Sequence, residues 1–568
     1  MINNNFMTID DIPILIEGEK NILELIRKAG IELPTFCYHS ELSIYGACRM
    51  CMIEDENGNL DTACSAQPRA GMVIRTNTKK LQKHRKMILE LILSNHCRDC
   101  TICPSSQICK LRDLASRFHM EDIRFPTNSL VDKIDTSSPC ITKNIAKCIL
   151  CGDCVRVCNE VQNVGAIDFV NRGSKMIIST AFEEPLAQSD CVGCGQCVAA
   201  CPTGAIIIKN DSQKLWEELF DPDTKVSVQI APAVRVAIGR DLGLGEHSKN
   251  VFGQIVAALR RIGFDEIFDT ATGADLTVIE ESAEFVEKLK SGDSKYPLFT
   301  SCCPAWVNYC EKKYPELLPY LSSCKSPMEM LASVVKEYHK ANSQGKLVHV
   351  AVMPCTAKKF EAKREEFVVD GVPVVDYVIT TRELIKMIRE SVYVFSELEA
   401  EATNDPFEIA TGAGVIFGAT GGVTEAVLRS VSADKSLKGV RTIVMHGVRG
   451  MDGLKEATVM VGDREAKIAI VSGLGNASKL IERIKAGEHY DFVEVMACPN
   501  GCVNGAGQPL STEIESADRA KSLYITDKLM SIKHSEQNSL TDALYNGVLK
   551  DRVHELLHVH YNSEISGE

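Results

Sequence analysis

Two cysteine runs constrain this chain more than any other feature: Cys148-x2-Cys151-x2-Cys154-x3-Cys158, and then Cys191-x2-Cys194-x2-Cys197-x3-Cys201 followed by Pro202. The hydrophobic stretches around them are short, so this part of the chain must fold around cofactors rather than around an apolar core. A triplet with a trailing cysteine is the spacing of a two-cluster ferredoxin, in which three close thiolates take one cubane and the fourth crosses to the other. That assigns Cys148, Cys151, Cys154 and Cys201 to one 4Fe-4S cluster, and Cys191, Cys194, Cys197 and Cys158 to a second. Zinc needs tetrahedral sets from paired ligands and explains neither the triplets nor the trailing cysteine. The two runs are also the one clear internal repeat.

The chain carries 24 cysteines in 568 residues. Its first residues, MINNNFMTIDDIPILIEGEK, have neither the basic start nor the apolar core of an export signal. No apolar run approaches the roughly 18 residues of a membrane span. The expectation is a cytoplasmic protein with no membrane contact, whose thiols stay reduced and act as metal ligands. With 63 basic against 76 acidic residues and a net charge of −13, general nucleic-acid binding is excluded, since a phosphate backbone is met by clustered positive charge.

Two further ligand sets precede the repeat. Cys37-x10-Cys48-x2-Cys51-x12-Cys64 supplies four thiolates, with Gly46 and Ala47 where a loop must wrap a cluster. It departs from the plant-type pattern at its first gap; a 2Fe-2S cluster is the reading, with zinc as the alternative. His96-x3-Cys100-x2-Cys103-x5-Cys109 fits a zinc site by spacing alone. Beside the other cluster domains, a 4Fe-4S cluster with one imidazole ligand is preferred, and Cys97 is read as a non-ligand.

From Lys225 onward the runs VSVQI, YPLFT, KLVHVAVM, RTIVM, AKIAIV and FVEVM alternate with amphipathic stretches. This predicts an α/β domain with largely parallel sheets, preceded by small α+β iron-sulfur domains. The boundaries expected are 1–79 for the 2Fe-2S ferredoxin-like domain, 80–125 for the His-ligated domain and 126–210 for the two-cluster domain. An active-site domain follows over 211–525, and a helical segment over 526–568. Cys302 and Cys303 follow YPLFT, Cys355 follows HVAVM and Pro354, and Cys498 and Cys502 follow FVEVM and Ala497. Each lies just past the carboxyl end of a predicted strand, where open parallel sheets place their ligand sites.

The segments TSCCPAW (300–306), MPCTAKKFE (353–361) and EVMACPNGCVNGAGQP (494–509) resemble the three signature motifs of FeFe hydrogenases. With the upstream clusters, the resemblance covers nearly the whole chain and implies the single-chain type with four accessory clusters: three 4Fe-4S and one 2Fe-2S. It implies an H-cluster, a cubane joined through a cysteine thiolate to a diiron unit bearing CO, cyanide and a dithiolate bridge. By motif, Cys303, Cys355, Cys498 and Cys502 would hold the cubane, with Cys502 bridging to the diiron unit. The implied reaction is reversible reduction of protons to H2 with electrons from ferredoxin or a similar small carrier. Maturation proteins would have to deliver the diiron unit.

Four thiolates satisfy a cubane, so Cys302 is left over. Neighbouring side chains on an extended segment point oppositely, and a free thiol there can relay a proton. Glu281 and Glu284 lie three apart on a predicted helix, hence on one face. By resemblance they continue the proton path with Ser322, ending at Lys288 where the family usually has arginine. Lys358 is an isolated cation three residues past a ligand, placed to hydrogen-bond an anionic cyanide. The resemblance also places Ala231, Pro232, Ser326, Pro327, Met353, Phe417, Gly418 and Met496 around the cofactor. Ala233 and Met328 replace the usual serine and glutamine, and Ala305, Asn500 and Ala506 stand where glycine is usual. Fewer hydrogen bonds to the diiron ligands are the expectation.

Other signals are weaker. His554-Glu555-Leu556-Leu557-His558 matches HExxH, but a zinc protease also needs a third ligand and a cleft, and few residues follow. An amphipathic docking helix is the reading there. No Walker sequence or correctly spaced GxGxxG supports a nucleotide cofactor. Lys79, Lys80, Lys83, Arg85 and Lys86 read as a solvated helix face that could dock an acidic ferredoxin. A competing class is an H2-sensing or non-catalytic electron-transfer protein on the same scaffold; retention of the Cys302 thiol favours turnover. An iron-sulfur subunit of a respiratory or formate-oxidising complex fails on the three later motifs.

Overall fold

The computed structural model describes residues 5–126, 133–245, 249–292, 295–342, 345–369 and 371–561. The chain forms two units. One comprises Met1–Val161, Gly165–Ser189 and Cys197–Ile207; the other comprises Gln162–Val164, Asp190–Gln196 and Ile208–Glu568.

In the first unit, strands β1 (Phe6–Ile9), β2 (Ile12–Leu15), β3 (Met52–Asp55), β4 (Leu60–Thr62) and β5 (Val73–Arg75) form a five-stranded sheet in the order β2-β1-β5-β3-β4. Helix α1 (Ile22–Lys28) is capped by the Asn21 side chain, which accepts the Glu24 amide. Its Ile22, Leu23, Leu25 and Ile26 pack with Met7, Ile9, Ile53 and Ile74, and Cys51 and Cys64 share that cluster. Cys51 and Cys64 thus hang on a sheet with an apolar core of its own, while Cys37 packs with Phe36, Met50 and Leu89. Helix α2 (Lys79–Ser94) follows, capped by Thr78. Lys79, Lys80, Lys83 and Lys86 are exposed, but Arg85 is not. Its guanidinium is buried, donating to Met50 O at 3.2 Å and Met52 O at 2.6 Å. The basic face therefore consists of lysines, while Arg85 satisfies the carbonyls of Met50 and Met52, on either side of Cys51.

The second unit holds two four-stranded sheets. In the first, β6 (Thr224–Ile230), β7 (Glu266–Asp269), β9 (Lys346–Met353) and β10 (Tyr377–Thr380) run parallel in the order β7-β6-β9-β10. In the second, β8 (Leu298–Phe299), β11 (Leu454–Val461), β12 (Arg464–Ser472) and β13 (Phe492–Met496) are ordered β8-β13-β12-β11. Its pairs are parallel except for the β11/β12 hairpin. The buried strands read as continuous apolar runs, as parallel strands covered on both faces must.

One expected strand is absent. RTIVM lies in helix α6 (Leu437–Ile443) and the π-turn that continues it, Val444–Val448. Ser436 caps that helix by accepting the amides of Lys438 and Gly439, and Val440 and Ile443, three apart, are buried. A short apolar run does not by itself distinguish a strand from a buried helical turn.

Helix α3 (Thr270–Ser291) is capped by Asp269, whose carboxylate accepts the Ala271 amide at 2.9 Å and is held by Arg235 at 2.6 Å. Helices α4 (Pro304–Lys313), α5 (Pro327–Asn342), α7 (Glu513–Leu529) and α8 (Val553–Leu557) complete the elements used below. Among the described residues, no helix is long and apolar enough to cross a membrane.

Candidate active site and cluster sites

Strand ends from both sheets deliver Cys303, Cys355, Cys498 and Cys502. Cys303 stands at the N-cap of α4, just past β8, with Pro304 at the first helical position. Cys355 follows β9, and Cys498 and Cys502 follow β13. The loop carrying Cys502 lies against Pro354: Gly507 donates to Pro354 O at 2.9 Å, and a Cβ at Gly505 would collide with that same oxygen. Only glycine allows this approach, which brings Cys502 beside Cys355. Asn500 adopts φ +67°, a left-handed conformation that asparagine tolerates best after glycine. This accounts for its presence where the family usually has glycine.

Burial pushes all four thiols up. Cys355 is raised to about 11 by burial and then by Cys303; Cys498 is raised by burial and then by Cys355 and Cys502, and Cys502 by burial and then by Cys355 and Cys303. None of them is in a disulfide. The Ala497 amide points at Cys303 Sγ at 3.4 Å, and Gln196 Nε2 donates to Cys498 Sγ at 3.3 Å. Four mutually facing thiols that resist ionisation alone, with N–H groups aimed at sulfur, are a donor set that fits an iron-sulfur cubane. Bound iron would supply the positive charge that these thiols need to ionise when buried.

Cys302 packs on a different side, with Phe417, Met496 and Cys502. Burial, then Glu281, pushes its thiol well above the ordinary value, so at neutral pH it holds a proton. Glu281 on α3 is buried and raised well above the usual carboxylate range, by burial and then by Glu284. Neither of its oxygens has a hydrogen-bond partner. Ser322 donates to Glu284 Oε2 at 2.7 Å. Burial would raise Glu284, but hydrogen bonds from His558, Ser323 and Ser322 outweigh it and hold the carboxyl low. Glu281 and Ser322 are fully buried, and Cys302 and Glu284 are half-buried. Lys288, one helical turn beyond Glu284, has its ammonium over the Tyr320 ring, 5.1 Å from the centroid.

Lys358 is buried, with Nζ 2.6 Å from Glu361 and 3.3 Å from Cys302 O. Burial would lower it, but Glu361 outweighs burial and keeps it charged. Ser326 Oγ, at the start of α5, is buried without a partner, a donor available to a bound group. Ala231 and Met353 pack together with Met328. Gly418 approaches Ala233, to which a Cβ would come within 3.1 Å. Pro232 is buried and Pro327 is half-buried. Ala305 and Ala506 are likewise buried.

Several residues of this site were not singled out from sequence. Glu494 lies in the middle of β13, fully buried, accepting from the Gly421 amide at 2.7 Å and from the Thr424 amide and hydroxyl at 2.8 Å each. Its charge acts on both Cys302 and Cys502. The signal was a lone glutamate inside an apolar strand. Gln196 and Glu361 carried no sequence signal beyond their neighbours.

In the first unit, Cys148, Cys151, Cys154 and Cys201 line one cavity together with Lys143. His96, Cys100, Cys103 and Cys109 line another, along with Cys97. His96 is held below its ordinary value by burial and then by Lys147, so it is neutral, and its Nε2 is a buried nitrogen without a partner. Cys37 and Cys48 form one facing pair and Cys51 and Cys64 another; hydrogen bonding from Cys37 holds Cys48 down to about 7. These donor sets also fit iron-sulfur clusters. Cys158 and Cys197 belong to the first unit, Cys191 and Cys194 to the second.

The C-terminal domain of the iron-only hydrogenase large subunit matches residues 224–506, and the iron hydrogenase small subunit matches 514–564. Upstream, a 2Fe-2S iron-sulfur cluster binding domain matches 6–79, the NADH-ubiquinone oxidoreductase-G iron-sulfur binding region 85–124, and a 4Fe-4S dicluster domain 147–205. The NADP-reducing hydrogenase subunit HndD of Solidesulfovibrio fructosivorans is 41% identical over 576 residues, covering 98% of each chain. The chain belongs to the FeFe hydrogenases. Iron hydrogenase 1 of Clostridium pasteurianum is 35% identical, covering 97% of this FeFe hydrogenase and 99% of that protein. A solved variant of [FeFe]-hydrogenase HydA1 from Chlamydomonas reinhardtii aligns with a TM-score of 0.54 at 38% identity, over 62% of this chain and 98% of that one. As an FeFe hydrogenase, the protein combines the family's H-cluster fold with 2Fe-2S and 4Fe-4S domains.

Proposed function

We propose that this hydrogenase interconverts protons and H2 at a site held by Cys303, Cys355, Cys498 and Cys502, and exchanges electrons with ferredoxin or a similar small carrier through three 4Fe-4S clusters and one 2Fe-2S cluster. The observation that supports the reading is that Cys303, Cys355, Cys498 and Cys502 follow strand ends of both sheets with a fifth thiol, Cys302, beside them and the carboxyls of Glu281 and Glu284 near it. When bound, the H-cluster supplies the iron chemistry of H2. The chain's own residues do the rest. Cys302 holds a proton at Sγ, because its buried thiol ionises only at high pH. Glu281 passes protons between Cys302 and the Ser322 and Glu284 pair, Lys358 presents a positive charge to anionic ligands, and the apolar wall of Met353, Phe417 and Met496 excludes water. The test is H2 evolution from reduced methyl viologen by the anaerobic, diiron-reconstituted protein. A fully loaded protein that evolves no H2 would leave the sensory or electron-transfer reading.

The 41% identity to an NADP-reducing hydrogenase subunit favours a second reading, in which the chain works within a nucleotide-reducing assembly. The sequence has no nucleotide-binding motif, so in that case another subunit would carry the nucleotide. Purified chain under H2 is expected to reduce ferredoxin but not NADP+; direct NADP+ reduction would overturn the ferredoxin assignment.

The exposed lysines of α2 offer the acidic protein a local attractive surface. Reversing Lys83 and Lys86 to Glu is expected to lower the ferredoxin-linked rate by about tenfold at low ionic strength, and to leave the methyl viologen rate unchanged. Equal loss in both assays would remove docking as their role.

Lys143 is buried on the wall of the cavity lined by Cys148, Cys151, Cys154 and Cys201, donating to Ser179 Oγ at 3.1 Å. A fixed cation there stabilises the reduced, more negative cluster. Lys143→Met is expected to lower that cluster's midpoint potential by on the order of 50 mV, read by EPR-monitored redox titration, while Lys143→Arg holds it.

A further inference from the structure

The C-terminal segment brings a histidine to the outer end of the carboxyl line. His558 follows α8 and pairs by an isolated antiparallel bridge with Cys324, two residues past Ser322. Its Nδ1 lies 2.7 Å from Ser323 Oγ, and the same hydroxyl donates to Glu284 Oε1. Its Nε2 lies 3.0 Å from Glu280 Oε2. A carboxylate oxygen of Glu284, the Cys324 thiol and a ring nitrogen of His558 all fall within 4.8 Å of one another. Outside this knot stands His554, exposed, with its ring centroid 4.7 Å from that of His558.

We propose that His558 is the outer proton relay of this hydrogenase, exchanging protons with Glu284 through the Ser323 hydroxyl and with solvent through Glu280. The inference rests on the reading of Glu284, Ser322, Glu281 and Cys302 as the inner path and extends it to the surface. His558 is a positioning residue: it acts through Glu284 and touches no reacting iron. The doubly protonated ring gives its Nδ1 proton to Ser323 Oγ as Ser323 gives its hydroxyl proton to Glu284 Oε1. The neutral ring then rotates and regains a proton from water by way of Glu280. One proton moves inward, charge is conserved and no electron is transferred; H2 oxidation runs the same steps outward.

Every charged group around the ring agrees with this role. Helix α3 presents Glu280 and Glu284, and Tyr545 donates to the other oxygen of Glu280. The segment after Ser322 presents the Ser323 hydroxyl, the buried Cys324 thiol and Lys325, whose ammonium turns to Glu555 O at 3.2 Å. On its own element stand His554 and Glu555, the latter paired with Arg552. Burial would lower His558, but Glu280 and Glu284 outweigh it and raise the ring to about 9. A group with a raised value is charged below that pH and loses its proton as pH rises through it. Wild-type H2 evolution is therefore expected to keep its proton supply up to about pH 9 and to decline above.

The test uses fully reconstituted protein carrying His558→Ala or Ser323→Ala, assayed for H2 evolution from reduced methyl viologen. Either substitution is expected to slow turnover by about tenfold or more, to raise the solvent H/D isotope effect, and to move the alkaline decline to lower pH. Imidazole in the buffer is expected to restore the His558→Ala rate, and the CO and cyanide vibrational bands are expected to be unchanged. Rates within about twofold of wild type for both variants, with an unchanged isotope effect, would overturn the relay. So would slowing that imidazole does not relieve and that leaves the isotope effect unchanged, since that marks a structural role. Glu281→Gln is run alongside. Collapse of Glu281→Gln beside unaffected His558→Ala and Ser323→Ala removes only the outer relay, whereas an unaffected Glu281→Gln removes the inner path and the relay with it.

Discussion

Replacing Cys302 with alanine is expected to lower H2 evolution by about 10²- to 10⁴-fold while the protein keeps its full iron content and its CO and cyanide vibrational bands. The Cys302 thiol is pushed well above its ordinary value, first by burial and then by Glu281, so at neutral pH it carries a proton that it can give up only to a stronger base close by. Glu281 is raised in the same way and has no hydrogen-bond partner to fix its proton. Two neutral, buried acids next to each other form a proton-transfer pair in which neither partner is trapped as a charge. Alanine removes the first of them and substitutes nothing that can hold a proton. A Cys302→Ala protein that turns over at the wild-type rate with intact bands would require another group to face the diiron unit. Loss of the bands would instead make Cys302 a structural residue of the pocket.

Cys502→Ser is expected to have the opposite signature: turnover abolished, and with it the CO and cyanide bands after attempted reconstitution. Burial raises the Cys502 thiol, and Cys355 and Cys303 raise it further. A serine hydroxyl ionises far less readily than a thiol, so in the same place it stays neutral and cannot supply the anionic sulfur ligand. The measurement is iron content, infrared bands and methyl viologen-driven H2 evolution on one preparation. Wild-type bands in Cys502→Ser would remove that residue as the bridge to the diiron unit, and retained H2 evolution would remove it from the site.

Much of this protein was legible before any coordinates. Ligand sets that fall within a short stretch, such as Cys148, Cys151 and Cys154, announce themselves because a cluster needs several thiolates at bonding distance and close spacing brings them there locally. The parallel α/β fold of the second unit was legible from buried apolar runs, since strands covered on both faces cannot alternate. RTIVM misled for the same reason: five apolar-rich residues satisfy a strand or a helical turn, and the Ser436 cap decided for the turn. Arg85 misled because a basic run looks uniform in sequence, although only the residues on the outer face of α2 meet water.

The sequence by itself determined which residue types could hold iron, in which order the cluster domains follow, and to which family the chain belongs. Those properties depend on spacing along the chain and on motifs long enough to be specific. Only the tertiary structure decided what surrounds the site: Glu494 accepting from Gly421 and Thr424, Gln196 on Cys498, and His558 meeting Glu284 through Ser323. Glu284 and His558 stand far apart in the chain, and a carboxylate or an imidazole looks the same in sequence whether it is solvated or buried. Burial and the partner across the fold set its charge, and both arise only when the elements pack.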